Sequence, residues 1–367
     1  MSAERDEVLA MVEVAILGTI FTLALFGNLF VLIALLRYSC KYPLSRMYWF
    51  MLHLSIADLM VACFNVLPQM LWDITYRFKG GDVACRVVKY MQVMPLYLSS
   101  YILVMMALDR FRAVIYTRCC SFGEQWSAKK SVHMMVGIAW IIAIVFSIPQ
   151  PFLFSKQEVA DGTGIYDCWV KFNQKWGSQV YATWFVICIF FVPLAIMATT
   201  QVMMCVKVIL WGQCMGKGKV KTVWLTLVVI IAYIVCWSPW CVTIMVMTFS
   251  GSSVGNHTAY TILLLLTSLN ACTNPWIYLG FSGHLLNMIC SPCGKVNRGR
   301  REHSIGAPDL PDQTATESYC KSELPLRVAD RDSPKTGGSQ PNGKNAATAE
   351  SESNDAKLVP GKESQWL

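Results

Sequence analysis

The segment Cys85–Arg112, CRVVKYMQVMPLYLSSYILVMMALDRFR, decides the fold class of this 367-residue chain. As a helix up to Arg110 it is roughly 38 Å long, which covers a hydrocarbon core of about 30 Å and one interface. At about 100° per residue, Gln92, Ser99 and Arg110 fall on nearly one face, with Lys89 about 60° away. Because polar groups are unfavourable against lipid, this stripe predicts a helix that lines a protein interior or a water-filled cavity.

The composition extends the membrane prediction to most of the chain. It is 54% hydrophobic and only 15% charged, whereas a soluble domain is about 25% charged. Seven apolar runs have spanning length, at residues 14–36, 47–72, 86–108, 131–154, 180–210, 222–249 and 259–281. They are too long and too apolar for a soluble helical bundle. We therefore expect an all-α membrane protein, a seven-transmembrane helix bundle.

The basic residues predict the orientation of the bundle. Lysine and arginine mark the connections that follow the odd-numbered spans, namely Arg37, Lys41, Arg46, Arg118, Lys129, Lys130, Lys217, Lys219, Lys221, Lys295, Arg298, Arg300 and Arg301. By the positive-inside rule these connections are cytoplasmic. We expect a multi-pass plasma-membrane protein with an extracellular N-terminus and a cytoplasmic C-terminus. The net charge of +8 then reflects membrane topology, not nucleic-acid binding.

Four regions are expected along the chain. They are a short extracellular N-terminus (1–13), the seven-transmembrane domain (14–281), a short amphipathic juxtamembrane helix on the inner surface (282–290) and a disordered cytoplasmic tail (291–367) that is rich in Ser, Gly, Asp and Pro.

Three sites of covalent modification are expected. Cys290 and Cys293 form a lone CxxC; a metal site would need a second pair, so juxtamembrane S-palmitoylation is favoured. Asn256 opens an N-x-Thr glycosylation acceptor on the outer side, and its nearness to the bilayer leaves its occupancy open. Cys85 at the outer start of the third span and Cys168 in the outer loop before the fifth span could pair as a disulfide in an oxidising compartment.

Polar and proline residues inside the other spans are candidates for function. Asp58 is a carboxylate well inside the second span, where a charge is costly and functional by default. Pro239 breaks the backbone ladder of the sixth span and provides a hinge below the outer cavity. Asp109 and Arg110 end the polar stripe as an ion pair, which is either a switch or a solvated helix end.

These positions occur in the order of a known receptor family. The shared markers are Asn28 in GN, Asp58 in LxxAD, Cys85, Asp109–Arg110, Trp140, Pro193, Trp237 and Pro239 in CWxP, and Asn274 to Tyr278 in NPxxY. The set resembles rhodopsin-like (class A) G-protein-coupled receptors across nearly the whole membrane region. The resemblance implies an activation switch made by Asp109, Arg110, Trp237, Pro239, Asn274, Pro275 and Tyr278, and a heterotrimeric G protein as partner.

Within that class, FNVLPQMLWDITYRF, CRVVKYMQV and SLNACTNPWIY resemble the vasopressin, vasotocin and oxytocin receptors, most closely the subtypes that signal through Gq and phospholipase C. In that family a cyclic nonapeptide amide occupies the outer cavity. Carried over by motif, the resemblance implies ligand-binding residues Arg5, Gln69, Lys89, Gln92 and Gln150. Trp237 and Trp240 of the sixth span are also expected to bind the ligand, with Trp240 in place of a family phenylalanine. Glutamines suit such a peptide because an amide side chain both donates and accepts hydrogen bonds.

The same resemblance implies an allosteric ion and a motion. Asp58, Ser99, Asn270 and Asn274 would line a pocket for sodium, with no other cofactor expected. Peptide binding would shift a two-state equilibrium and swing the sixth span outward at Pro239, opening a cleft where the G protein meets Arg110. Arrestin, other receptors and membrane lipid complete the expected partners.

Some residues depart from the family pattern. Phe111 replaces the tyrosine that usually follows Asp-Arg, and Gln201 replaces a tyrosine that helps to hold the active state. The third inner connection is also short. These departures motivate an alternative, a drifted paralogue that signals weakly or not at all and binds or scaffolds another receptor. An enzyme or transporter is disfavoured, because no nucleophile–base pairing, P-loop, HExxH motif or inverted repeat is present.

Overall fold

The computed structural model describes residues 7–40, 42–115, 124–158, 164–170, 172, 174, 176–211, 217–250 and 257–281. These residues form seven long helical segments, one for each predicted span. Six of the segments have the length and hydropathy of a membrane span, and the seventh helix corresponds to the predicted run 259–281. The prediction of a seven-helix, all-α bundle is confirmed.

The spans have the following bounds. The first is Glu7–Ser39; the second joins Arg46–Val61, a π-helical turn Ala62–Val66 and Leu67–Thr75; the third is Asp82–Ile115. The fourth is Glu124–Phe146, followed by a one-turn helix Gln150–Leu153; the fifth joins Gly177–Val186, a π-helical turn Ile187–Phe191 and Val192–Trp211. The sixth is Lys217–Ser250 and the seventh is His257–Phe281.

The third helix is the centre of the bundle. In its most apolar 18-residue window 83% of the residues are buried, against 33–50% in the other five spans measured in the same way. It packs against the second, fourth, fifth and sixth helices. Its polar stripe is buried as predicted, since Lys89, Gln92, Ser99 and Arg110 are each no more than 5% exposed. The polar stripe therefore faces other parts of the protein and not lipid, where polar side chains would be unfavourable.

Each π-helical turn ends two residues before a proline, Pro68 in the second span and Pro193 in the fifth. Pro193 has no N–H for the Ile189 carbonyl four residues earlier, and the Tyr233 hydroxyl of the sixth helix donates to that carbonyl instead. The neighbouring Cys188 carbonyl accepts a hydrogen bond from the Tyr101 hydroxyl of the third helix at 3.0 Å. Side chains of two other helices thus satisfy the backbone that the proline leaves open, as membrane-embedded backbone requires.

A buried amide joins the first helix to the seventh. The Asn28 side-chain nitrogen donates to the Ala24 and Ala271 carbonyls, both at 2.9 Å. Asn28 is 1% exposed, so an unpaired amide would be costly there. The bond fixes the seventh helix against the first at the level of its polar segment.

A β-hairpin forms the described part of the outer connection between the fourth and fifth spans. Strand β1 (Phe154–Glu158) pairs antiparallel with β2 (Tyr166–Val170), from Phe154 opposite Val170 to Glu158 opposite Tyr166. The predicted Cys85–Cys168 disulfide is present and ties β2 to the third helix. These two short strands were not predicted from the sequence.

Candidate functional site

Lys89 lies beneath the hairpin, in an aromatic site on the outer part of the third helix. Its ammonium nitrogen is 4.8 Å from the Trp72 ring centroid and 5.0 Å from the Phe154 ring centroid, both distances typical of cation–π contacts. Lys89 is only 5% exposed. The aromatic rings partly replace the water lost by the ammonium, which remains able to donate hydrogen bonds to an incoming acceptor.

The hairpin is held over this site by charged hydrogen bonds. The buried Asp167 carboxylate accepts from Arg77 Nη1 at 3.3 Å and from the Phe78 amide at 3.1 Å, which fastens β2 to the chain after the second span. Asp82 accepts from the Lys156 amide at 2.8 Å and fastens β1 to the start of the third helix. Both strands of the hairpin are therefore fixed independently of the disulfide.

The predicted glutamines lie on three helices that meet here. Gln69 of the second helix donates to Asp73 Oδ1 at 3.1 Å. Gln92 is 5% exposed, and its backbone carbonyl accepts from Asn65 Nδ2 at 3.1 Å. Gln150 is 2% exposed and donates to the Tyr181 hydroxyl of the fifth helix. Its side-chain oxygen has no hydrogen-bond partner among the described residues, so a buried acceptor remains for an incoming donor.

Two tryptophans of the sixth helix form the base of this region. Trp237 and Trp240 are 1% and 3% exposed, and both indole N–H groups lack an acceptor within the described ranges. Trp240 packs edge-on against Phe185 of the fifth helix with ring centroids 5.5 Å apart. Trp237 contacts Tyr233 one turn below it, at 6.2 Å between centroids. Large apolar surfaces and unused donors therefore lie at the depth where a bound peptide would end.

The middle of the bundle contains a carboxylate surrounded by neutral donors. Asp58 is fully buried; it accepts from Ser99 Oγ at 2.7 Å and from Asn274 Nδ2 at 2.8 Å. Asn270 is buried four residues before Asn274 on the seventh helix. Carboxylate and hydroxyl oxygens suit a hard cation, whereas Asn274 directs its amide nitrogen and not its oxygen at Asp58. The residues present therefore fit the predicted sodium ion, and Asp58 would supply the charge.

The inner end differs in one respect from the sequence prediction. We expected Asp109 and Arg110 to form an ion pair with each other, but the Asp109 carboxylate pairs with Arg46 at the start of the second helix. Adjacent residues on a helix point about 100° apart, so the two side chains face different neighbours. Arg110 faces the sixth helix, where its Nη1 donates to Thr226 Oγ1 at 3.1 Å.

A methionine sulfur connects Arg110 to the seventh helix. Arg110 Nη2 lies 3.3 Å from Met106 Sδ, and the Tyr278 hydroxyl lies 3.5 Å from the same sulfur. Thioether sulfurs are weak hydrogen-bond acceptors, so these two contacts contribute little energy. They show that Arg110 and Tyr278 lie close to the same side chain. Arg110 and Tyr278, two of the predicted switch residues, thus share Met106 as a neighbour.

Several predicted positions lie outside the described residues. They are Arg5, Asn256, Cys290 and Cys293, together with the proposed juxtamembrane helix (282–290) and tail (291–367). Their assignments stay predictions. Conversely, sequence reasoning missed Tyr181 as the partner of Gln150, Thr226 as the partner of Arg110, and the Arg77–Asp167 pair. Each is a common polar residue on another element, and no local pattern marks it.

Comparison with known proteins agrees with this architecture. Residues 27–278 match the family model described as "7 transmembrane receptor (rhodopsin family)". The chain is 41% identical over 330 residues to cephalotocin receptor 2 of Octopus vulgaris (81% of this chain, 75% of the relative). It is 36% identical over 371 residues to the vasopressin V1b receptor of Homo sapiens (88% and 86%) and 39% identical over 314 residues to the isotocin receptor of Catostomus commersonii (77% and 77%).

The family model extends from residue 27 in the first helix to residue 278 in the seventh, and it includes the disulfide-bonded hairpin. It excludes an enzyme as the function of the chain. The chain belongs to the rhodopsin family of seven-transmembrane G-protein-coupled receptors, in the group of the vasopressin and oxytocin receptors.

Proposed function

We propose that this receptor binds a cyclic nonapeptide amide of the vasopressin and oxytocin class in its outer cavity, and that it signals through Gq, phospholipase C and calcium. The relatives above are named for vasopressin, isotocin and cephalotocin. The chain spans at least three quarters of each of them. The single observation that carries the proposal is the buried ammonium of Lys89, held against Trp72 and Phe154 in a region that also contains the buried amides of Gln92 and Gln150.

The chemistry of the cavity suits an amide-rich ligand. Peptide carbonyls and a terminal carboxamide are strong neutral hydrogen-bonding groups, and Gln69, Gln92 and Gln150 can each donate to one and accept from another. Lys89 adds a donor with full charge, which strengthens a hydrogen bond to a carbonyl. An amine ligand would instead require a carboxylate facing the cavity at the position of Gln92.

The path from cavity to cytoplasm follows the third and sixth helices. A peptide that contacts Trp237 and Trp240 would bias the sixth helix about the hinge at Pro239. The inner end of that helix would then leave Arg110, whose guanidinium becomes free to meet the G protein. Sodium at Asp58 would connect the second, third and seventh helices through Ser99 and Asn274, and we propose that it favours the state without peptide.

The proposal includes an orientation. The Lys89 cavity and the disulfide-bonded hairpin face the extracellular side, where a disulfide persists and a hormone arrives. The Arg110 end faces the cytoplasm. The positive-inside distribution of lysine and arginine supports this orientation.

A peptide panel tests the proposal. Cells that express the receptor would be exposed to vasopressin, oxytocin, vasotocin and isotocin, with binding and calcium release measured for each and untransfected cells as the control. We expect saturable binding and calcium release for at least one nonapeptide, blocked by a Gq inhibitor. Binding without any second-messenger response would favour the non-signalling paralogue. Neither binding nor response across the panel would refute the proposed ligand class.

A further inference from the structure

The inner end of the fifth helix carries a glutamine that bonds to the sixth helix. Gln201 is 5% exposed, and its Nε2 donates to the Val223 backbone carbonyl at 3.1 Å. A backbone carbonyl has two lone pairs, so Val223 accepts this bond in addition to the one within its own helix. Gln201 Nε2 also lies 3.4 Å from Cys205 Sγ, one turn further along the fifth helix.

The bond lies next to the contact between Arg110 and the sixth helix. Thr226, which accepts from Arg110 Nη1, follows Val223 by three residues and therefore lies about one turn away on the same side. Arg110, Met197 and Thr226 line a small cavity between the third, fifth and sixth helices. The sixth helix is thus held at its inner end by two side-chain hydrogen bonds, one from the third helix and one from the fifth.

The Gln201 bond differs in kind from the Arg110 bond. Gln201 is neutral and donates to a backbone carbonyl, so the bond depends on the position of the sixth-helix backbone and not on a side-chain rotamer of that helix. A group biases a two-state equilibrium only through an interaction that differs between the states. We expect the outward swing of the sixth helix at Pro239 to carry the Val223 carbonyl out of reach of Gln201, so that the bond forms in the closed state alone.

We propose that Gln201 is a positioning residue that holds the cytoplasmic end of the sixth helix closed by donating to the Val223 carbonyl, and so keeps basal signalling low. The proposal rests on the proposed function, since it concerns the movement that signalling through the G protein requires. It gives the glutamine a defined role at a position where the family resemblance leads one to expect a tyrosine. On this proposal, the glutamine at position 201 does not indicate that the receptor has lost the ability to signal.

Gln201→Met tests the proposal, because methionine keeps the length of the side chain and removes the amide donor. Thr200→Val is the matched control: the Thr200 hydroxyl donates to the carbonyls of Ile196 and Met197 in its own helix. Hydrogen exchange of residues 217–230 would be measured in the purified, peptide-free receptor in lipid nanodiscs. Basal inositol phosphate would be measured in cells and normalised to surface expression.

We expect about five-fold faster exchange and about five-fold higher basal signalling for Gln201→Met, which corresponds to one net hydrogen bond of about 1 kcal/mol. The Thr200→Val variant should match the wild type in both. Equal or slower exchange in Gln201→Met would overturn the proposal. If that variant does not fold, Gln201→Leu also lacks the donor and should give the same direction. Hydrogen exchange needs neither peptide nor G protein, so its result is independent of the peptide panel.

Discussion

The Asp109 carboxylate pairs with the Arg46 guanidinium at the start of the second helix, although Arg110 is its neighbour in the chain. The Arg46 side chain is 39% exposed and that of Asp109 is 9% exposed. The pair joins the inner ends of the second and third helices and leaves Arg110 directed at the sixth helix. One residue of the Asp-Arg motif thus stabilises the bundle while the other contacts the helix expected to move.

Asp109→Asn should therefore lower the stability of the receptor. Loss of a partly exposed ion pair costs about 1 kcal/mol, which for a receptor of this size lowers the melting temperature by a few degrees. Thermal unfolding of the detergent-solubilised protein would measure this. Arg37→Ala removes an exposed arginine of the first helix and should leave the melting temperature unchanged. An unaltered melting temperature in Asp109→Asn would show that the pair does not contribute.

Lys89→Met should weaken peptide binding by about ten- to a hundred-fold, since a charge-assisted hydrogen bond contributes about 1.5–3 kcal/mol. Methionine keeps the packing against Trp72 and Phe154, so surface expression should persist. Competition binding with a nonapeptide that binds the wild type would give the affinities. Lys79→Met, at an exposed lysine on the same side of the receptor, is the control. A peptide that bound both variants as tightly as the wild type would not use Lys89.

Asp58→Asn should abolish any effect of sodium on peptide affinity. The neutral amide cannot supply the charge that a cation requires, and the hydrogen-bond partners Ser99 and Asn274 remain. Peptide affinity would be measured in sodium chloride and in choline chloride at equal ionic strength. We expect the wild type to bind more weakly in sodium and the variant to bind equally in both salts. Equal affinity of the wild type in the two salts would argue against a sodium site.

Removing the outer disulfide should reduce both surface expression and peptide binding. Cys85 and Cys168 are 83 residues apart, and the chain-entropy model gives about 4 to 5 kcal/mol for a loop of that length. The double variant Cys85→Ser and Cys168→Ser would be compared with Cys40→Ser, which alters an exposed free cysteine. Wild-type surface levels and affinity in the double variant would contradict a structural role for the disulfide.

The polar residues inside the membrane are what made the fold and much of the site predictable. A charge or amide within an apolar run has few physical explanations, so the positions of Asp58, Lys89 and Arg110 along the chain were enough to indicate buried contacts. The disulfide was predictable for a similar reason. Cys85 and Cys168 lie on the outer side of the membrane, whereas most of the other cysteines lie inside apolar runs.

The partners of those residues were much less predictable. Arg46 is one of many basic residues near the inner face, and nothing local distinguishes it as the partner of Asp109. The hairpin was missed because its strands are five residues each and lie in a connection whose pattern is irregular. Long-range pairing depends on how helices are arranged in three dimensions, and the helical period fixes only which side of each helix is buried.

The central claim is that an outer peptide cavity is joined through the third helix to an inner switch. Nonapeptide binding and calcium release, measured together in Arg110→Gln, test this claim most directly. Glutamine keeps a donor for Thr226 and removes the charge that the G protein would meet. We expect nonapeptide affinity within about three-fold of the wild type, surface expression retained and calcium release reduced at least ten-fold. Full calcium release at matched surface expression would contradict the account.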